Sequence, residues 1–128
     1  MTLRKWTALP AHRAWLLAQA NSLFDFFDGR SIDPLGGFFD LDDEGRPLVT
    51  RARPPAVRSR QLHSTTRMVH CFAIAHLMGR PGADAMIDHG MAFLWNGHRD
   101  PQHGGYFWGV GDQAPTDDSK QAYGHAFV

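Results

Sequence analysis

The chain has 128 residues, is balanced in charge and is rich in apolar side chains. Its 43% hydrophobic and 12% aromatic residues are enough for a sizeable core, which excludes a disordered chain. Thirteen Lys and Arg residues match thirteen Asp and Glu residues, so no overall field attracts a nucleic-acid backbone or an anionic membrane. Neutral partners are therefore favoured, and we expect one domain or one piece of a domain.

Cysteine content and hydropathy indicate where in the cell the protein is expected. Cys71, the only cysteine, lies in an apolar helical pattern and cannot form an intramolecular disulfide, so we expect a buried, non-catalytic thiol in a reducing compartment. The N-terminus has no apolar run before its first charges, and no segment has the about 18 apolar residues of a membrane span. The expected location is cytoplasmic, without a membrane partner.

The first predicted element is a helix that begins at Thr7, whose hydroxyl can cap it, with Pro10 in the first turn. Apolar residues continue at helical spacing as far as Phe27, and Gly29 is the predicted stop. Residues 31–55 contain Asp-Pro, Gly-Gly, Glu-Gly and Pro-Pro, which are turn signals. We expect a hairpin around the short extended segment "GGFFDL" there.

Two further helices are predicted in the middle of the chain. The second, from about Arg58 to Met78, is apolar nearly all the way round and is therefore expected to be buried before "GRPG" ends it. The third, residues 83–95, exposes Asp84 and Asp88 and ends before Gly97, as an outer amphipathic helix would. Its predicted buried residues are Met86, Ile87, Met91, Phe93 and Leu94.

Two glycine-aromatic stretches indicate a repeat. "GGFFDLDDEGRP" begins at Gly36 and "GGYFWGVGDQAP" begins at Gly104, 68 residues later. Each precedes a basic residue followed by glutamine, in one case Arg60-Gln61 and in the other Lys120-Gln121, and then a helix. The repeated unit is an outer helix, an extended loop and an inner helix. Such a repeat predicts stacked or ring-closed helical hairpins.

The last predicted helix bears on how many repeat units we expect. The last predicted helix opens at Ser119 and stops at Val128 without a capping signal. Helical repeats bury their faces only against neighbouring units, so we expect more units after Val128.

A polar stripe on the second helix carries the candidate chemistry. Arg60, His63, Arg67 and His70 follow one another at intervals of three, four and three residues, which places them on one face. Buried cations need partners, so this face should meet either carboxylates, as a structural ion-pair seam, or a wet ligand cavity.

Two rival sites are less favoured. His98, Asp100 and His103 offer metal-ligand chemistry, but polar loops often produce such triples and no fourth ligand is evident. "RARPPAVRSR" is locally basic, yet it lacks interleaved aromatics and lies in a chain of zero net charge, so a solvated loop is the better interpretation.

Six ordered segments covering almost the whole chain resemble the N-acylglucosamine 2-epimerase superfamily, in its branch of D-mannose and sulfoquinovose isomerases. The segments are "HRAWL", "GGFFDLDDEGRP", "TTRMVHCFAIAHLMGRPGA", "DHGMAFL", "RDPQHGGYFW" and "DDSKQAYGHAFV". The resemblance implies an all-α, (α/α)6-barrel fold of which residues 1–128 form the amino-terminal part. It also implies aldose–ketose interconversion by histidine acid/base groups through an enediol, with no metal or organic cofactor.

The resemblance implies site residues as well. Arg67 corresponds to the arginine that binds sugar oxygens near the reacting carbonyl, and Tyr123 corresponds to a sugar-binding tyrosine. His63 stands where many relatives have tryptophan and should line the same side as Arg67. His125 should point away from Tyr123, because two residues subtend about 200° on a helix. The family's catalytic histidines are expected beyond Val128, so the fragment alone should be inactive.

Three alternatives stay open at this stage. The enzyme can be an isomerase or an N-acylglucosamine 2-epimerase, because substrate-selecting groups are expected in other segments. A non-catalytic helical-repeat binding module would share the repeats but would not need Arg67 beside a cavity. A monosaccharide is the expected partner, and the assembly state, including a homo-oligomer, is left open.

Overall fold

The computed structural model describes residues 5–48 and 59–128. The basic stretch "RARPPAVRSR" spans residues 51–60, of which residues 51–58 lie outside the described residues, as does the predicted helix start at Arg58. The described elements in chain order are α1 (Pro10–Phe27), β1 (Arg60–Gln61), α2 (Leu62–Leu77), α3 (Ala83–Phe93), β2 (Gly109–Val110), β3 (Pro115–Asp117) and α4 (Ala122–His125). None of these helices is long and apolar enough to cross a membrane.

Helix α1 starts later than the sequence predicts. Thr7 lies in a separate 3-10 turn, Trp6–Ala8, and does not cap the helix, so that prediction is wrong. Pro10 takes the first helical position because proline lacks the N–H that would be unpaired there and has a helical φ. The predicted stop is confirmed: α1 ends at Phe27, and Gly29 follows with a φ of +74°.

Helix α2 also begins later than predicted, because Arg60 and Gln61 form a strand. They pair antiparallel with Val110 and Gly109 of β2, and β2 pairs in turn with β3. The backbone N–H of Leu62 then donates to the carbonyl of Trp108 at 2.8 Å. A small three-stranded sheet therefore holds the N-terminus of α2, so the described chain is mostly helical rather than purely α.

The core lies between α2, α3 and the first glycine loop. It is formed by the buried side chains of Phe38, Phe72, Ala75, Ala83 and Met86, with Phe24, Phe27, Ile32, Met68 and Ile87 packed around them. Three burial predictions are wrong: Cys71 is exposed, Met91 on α3 is 50% exposed, and α2 is not buried all round, since Ile74 and Leu77 are 43% and 86% exposed. The predictions for α2 assumed apolar neighbours on every side, whereas α2 packs against α3 on one side and borders an open cleft on the other.

The ends of the third and fourth helices also differ from the predictions. Helix α3 continues into a π-helical turn, Leu94–His98, so Gly97 lies inside the helical segment instead of after it. Asp84 and Asp88 are exposed as predicted. Helix α4 begins at Ala122 instead of Ser119, whose N–H donates to the carboxylate of Asp117.

The predicted repeat is confirmed in the backbone. Gly36, Gly37, Gly104 and Gly105 all have positive φ, between 71° and 114°. In both loops an aspartate N–H donates the hydrogen bond that closes the turn: Asp33 N–H donates to the Gly37 carbonyl at 3.1 Å and Asp100 N–H donates to the Gly105 carbonyl at 2.8 Å. An isolated antiparallel bridge spans each loop, so the same turn is built twice.

Candidate sugar-binding site

The structure divides the predicted polar stripe into two parts. Arg60 lies in β1 and is 5% exposed, whereas Arg67 lies in α2 and is exposed. His63 is half-buried one helical turn before Arg67, and His70 is exposed one turn after it. The stripe therefore has a buried end and an open end, with different neighbours.

Arg60 is at the buried end and forms a structural ion-pair seam. Its Nε and Nη2 atoms donate to one carboxylate oxygen of Asp33 at 3.1 and 2.7 Å, and Nη2 also donates to Asp112 at 2.7 Å. The side chains of Arg60 and Asp33 are only 4% and 1% exposed. Of the two environments predicted for the polar stripe, carboxylate partners or a ligand cavity, Arg60 therefore has the carboxylate partners.

Arg67 is at the open end and meets the second predicted site residue. Its guanidinium donates a hydrogen bond to the hydroxyl of Tyr123, and its Cζ lies 5.7 Å from the centre of the Tyr123 ring. The same Cζ lies 5.3 Å from the centre of the Phe127 ring. Consecutive inner helices thus bring Arg67 and Tyr123 together, although they lie 56 residues apart.

His63 joins the same cluster. Its ring stacks on Trp108, with centroids 4.9 Å apart and planes inclined by 18°, and lies 6.2 Å from the Tyr123 ring. Burial lowers the pKa of His63, the charge of Arg67 lowers it further, and the Asp40 carboxylate acts in the opposite direction. The imidazole is therefore held in its neutral form near pH 7.

Close approach of α4 to α2 is what assembles this cluster. Gly124 is buried, and a Cβ at this position would lie 2.8 Å from Leu62 and 3.1 Å from Trp108. Glycine therefore lets Tyr123 reach Arg67. The sequence interpretation did not include Trp108 or Phe127, although "YFW" and "HAFV" carry the aromatic signal.

His125 lies outside the cluster, as the helical angle predicts. Its Nε2 accepts the backbone N–H of Tyr106 at 2.9 Å, and its Nδ1 lies 2.8 Å from the Gln121 carbonyl oxygen. These bonds direct the ring of His125 to the second glycine loop, whereas Tyr123 faces Arg67.

An open cleft of about 560 Å³ lies beside Arg67, between α1, residues 38–41 and α2. Pockets of this size commonly hold small molecules. Its apolar or weakly polar lining consists of Ala20, Leu23, Phe24, Phe27, Phe38, Phe39, Leu41, Met68, Cys71, Phe72 and Ile74. Asp40, Ser64 and Arg67 supply the polar edge. Hydrogen-bonding groups beside a largely apolar wall suit a ligand with hydroxyls and C–H surface.

The His98, Asp100 and His103 triple has other partners. His98 is fully buried, with Nδ1 3.0 Å from the Phe107 carbonyl oxygen and Nε2 3.2 Å from the Thr65 hydroxyl. Asp100 accepts from Lys120 at 2.7 Å, and this bond holds the pKa of its carboxyl well below the usual range. Within residues 5–48 and 59–128, no three His, Cys, Asp or Glu side chains are grouped to hold a metal ion.

Helices joined by Gly-Gly loops, with an arginine that lines an open cleft and is bonded to a tyrosine, define a helical-hairpin protein of the α/α type. The chain belongs to the N-acylglucosamine 2-epimerase (GlcNAc 2-epimerase) family, whose pattern matches residues 36–128. This family contains sugar isomerases and epimerases among the proteins to which the chain is similar.

Three relatives illustrate the match. The D-mannose isomerase of Thermobifida fusca is 44% identical over 131 residues, covering 100% of this chain and 29% of the relative. The crystal structure of a D-mannose isomerase superposes with a TM-score of 0.75 at 31% identity, over 90% of this chain and 28% of the other.

The third relative is an epimerase. The cellobiose 2-epimerase of Spirochaeta thermophila superposes with a TM-score of 0.72 at 28% identity, over 90% of this chain and 28% of the other. The chain thus spans less than a third of the length of each of these relatives.

Proposed function

We propose that the chain is the amino-terminal part of a single (α/α)6-barrel sugar isomerase of the D-mannose isomerase type. The observation that carries the proposal is the contact between Arg67 and Tyr123 at the edge of the open cleft. Exposed apolar residues on α1 support the larger barrel, because such faces are normally covered by neighbouring helices. Among them, Trp15 and Leu17 are each more than half exposed and do not line the cleft.

In the proposed reaction, an aldose opens its ring and exchanges a proton between carbons 1 and 2 through an enediol. Arg67 donates hydrogen bonds to the oxygen on which negative charge develops, which stabilises the transition state more than the ground state. Tyr123 orients both Arg67 and a sugar hydroxyl. His63, kept neutral and stacked on Trp108, lines the same corner without carrying a charge.

Proton transfer itself requires an acid/base group near neutral pH, for which imidazole is suited. We assign this step to histidines outside residues 1–128, so the isolated chain should not turn over sugar. No metal or organic cofactor takes part in the proposed reaction. The cytoplasmic location and the homo-oligomer stay predictions.

A 2-epimerase is the second candidate, favoured by the likeness to a cellobiose 2-epimerase. Both reactions begin with loss of the proton at carbon 2, and they differ in the carbon that receives the proton. Product identity therefore separates them: a ketose indicates isomerisation, and an aldose inverted at carbon 2 indicates epimerisation. A non-catalytic binding module would give neither.

The test uses the full-length protein that contains this chain. Mannose is followed by NMR in deuterated water, with Arg67→Ala compared to Arg13→Ala, an exposed arginine on α1. We expect fructose with deuterium at the exchanged carbon, a loss of kcat/KM of roughly 100-fold or more in Arg67→Ala, and no loss in the control. Near-native turnover by Arg67→Ala would contradict its role, and inactivity on every aldose would contradict the proposed function.

A further inference from the structure

An exposed carboxylate lies at the point where two cavities adjoin. Asp40 lines the open cleft of about 560 Å³ and also a second, polar cavity of about 60 Å³. Ser64 lines both cavities as well, and Arg67 lines the larger one. Asp40 is therefore on the same polar edge as Arg67, although no sequence argument singled it out.

The backbone holds Asp40 in place. Its carbonyl accepts the N–H of Leu48 at 2.7 Å, and the preceding N–H of Phe39 donates to the Ser31 carbonyl at 2.6 Å. Leu41, the next residue, is bridged to Pro47. With backbone bonds on both sides, the main chain of Asp40 has a defined position at the mouth of the cleft.

Two described side chains of opposite charge lie at this edge. Arg67 contributes one positive charge and Asp40 one negative charge, while burial and Arg67 keep His63 neutral. Behind them, Arg60 is bonded to both Asp33 and Asp112, whose carboxylates offset its positive charge. Asp40 thus places a negative charge at the edge of both cavities, where it repels an anion.

We infer that Asp40 is a further sugar-binding residue, which accepts a hydrogen bond from a substrate hydroxyl and selects neutral sugars against anionic ones. This inference rests on the proposed function and narrows its substrate class. A carboxylate accepts hydroxyl hydrogen bonds strongly, as charged acceptors do. The same charge repels a sulfonate, carboxylate or phosphate group on a competing sugar, which is a repulsive contribution to specificity.

The experiment compares Asp40→Asn with Asp43→Asn in the full-length protein. Asp43 is an exposed aspartate three residues along the same loop, so it controls for loss of one negative charge in the loop. For each protein, kcat/KM is measured for mannose and for a hexose that carries a sulfonate at carbon 6. The ratio of the two values reports discrimination independently of the amount of folded enzyme.

We expect the unsubstituted protein to prefer mannose, and Asp40→Asn to reduce the mannose-to-sulfonated-sugar ratio by roughly tenfold. Asp43→Asn should leave the ratio within about twofold, because Asp43 lines neither cavity. Turnover of mannose with an unchanged ratio in Asp40→Asn would overturn this inference and leave the proposed function standing. Absence of any aldose turnover in the unsubstituted protein would instead overturn the proposed function, and this inference with it.

Discussion

The two glycine loops share a backbone but not an environment. In the first, Asp33 pairs with Arg60, and these side chains are 1% and 4% exposed. In the second, Asp100 pairs with Lys120 at the equivalent place, and these side chains are 6% and 32% exposed. Both aspartates also accept backbone N–H groups of their own loop, from Leu35 in one and from Gln102 and His103 in the other.

The difference indicates that two repeats can keep an ion pair at the same place while that pair contributes differently to stability. The planar guanidinium of Arg60 makes two bonds to Asp33 and one to Asp112 within the interior. The ammonium of Lys120 makes one bond to Asp100 near the surface and lies 4.0 Å from the centre of the Phe107 ring. A pair buried on both sides is costly to break, whereas a pair with a partly exposed partner contributes less. The same substitution should therefore destabilise the protein more at Asp33 than at Asp100.

The largest expected effect comes from removing the two aspartates in turn. Among the described residues, Asp33→Ala leaves the buried Arg60 charge with Asp112 as its remaining carboxylate partner, and we expect a loss of about 3 kcal/mol or more in the free energy of unfolding. Asp100→Ala removes a comparable set of loop hydrogen bonds but frees a cation that water can reach, so its loss should be clearly smaller. Urea denaturation of the full-length protein measures both. Equal losses would mean that burial does not distinguish the loops.

A smaller contrast is expected at the first glycine of each loop. An added Cβ at Gly36 would lie 2.5 Å from the Phe93 ring, whereas at Gly104 it would have nothing within 4 Å. Both residues have positive φ, 114° and 78°, so alanine is strained at either site. Gly104→Ala should cost about 1–2 kcal/mol from the backbone alone, and Gly36→Ala should cost more. Thermal unfolding of the two variants tests this, and a milder effect at Gly36 would contradict it.

The smallest expected effect is a pH dependence of stability that arises in the second loop. His98 is fully buried where the first loop has Ser31, and burial lowers the pKa of His98 below its ordinary 6.5. Because the unfolded chain then binds the proton more readily, stability from His98 is present above pH 6.5 and is lost as the pH falls below it. His98→Asn should flatten the dependence of the unfolding free energy between about pH 7 and pH 5.

The matched control for this titration is His103→Gln, because His103 is 71% exposed in the same loop. This variant should keep the pH dependence of the unsubstituted protein. The His98 prediction would be wrong if both variants gave the same slope.

Local chemistry made part of the fold predictable from the sequence. The Gly-Gly pairs need positive φ, so their spacing located both loops and the inner helices that follow. Long-range pairing was not predictable: Arg60 and Gln61 look helical until Gly109 and Val110 are available to pair with them. The burial of Cys71 was overestimated for the same reason. An apolar stretch of sequence does not show which other elements pack against it.

The site was predictable where helical spacing decides which residues share a face. Arg67 and His63 are one turn apart, and the opposed directions of Tyr123 and His125 followed from the helical angle. Asp40 was hidden because an aspartate in "DLDDEG" looks like any solvated turn residue. Asp33 was hidden for a similar reason, since Asp-Pro is a common turn signal and does not reveal a buried cation 27 residues away.

Pairing of β1 with β2 joins the start of one inner helix to the loop that precedes the next one. The bond from Arg60 to Asp112 crosses the same boundary. The first unit is thus completed by chain that belongs to the second, so excising or duplicating it would leave a strand edge and a buried cation without their counterparts. If the proposed barrel is engineered to contain one unit more or fewer, the new junction should therefore lie inside a helix and not at a glycine loop.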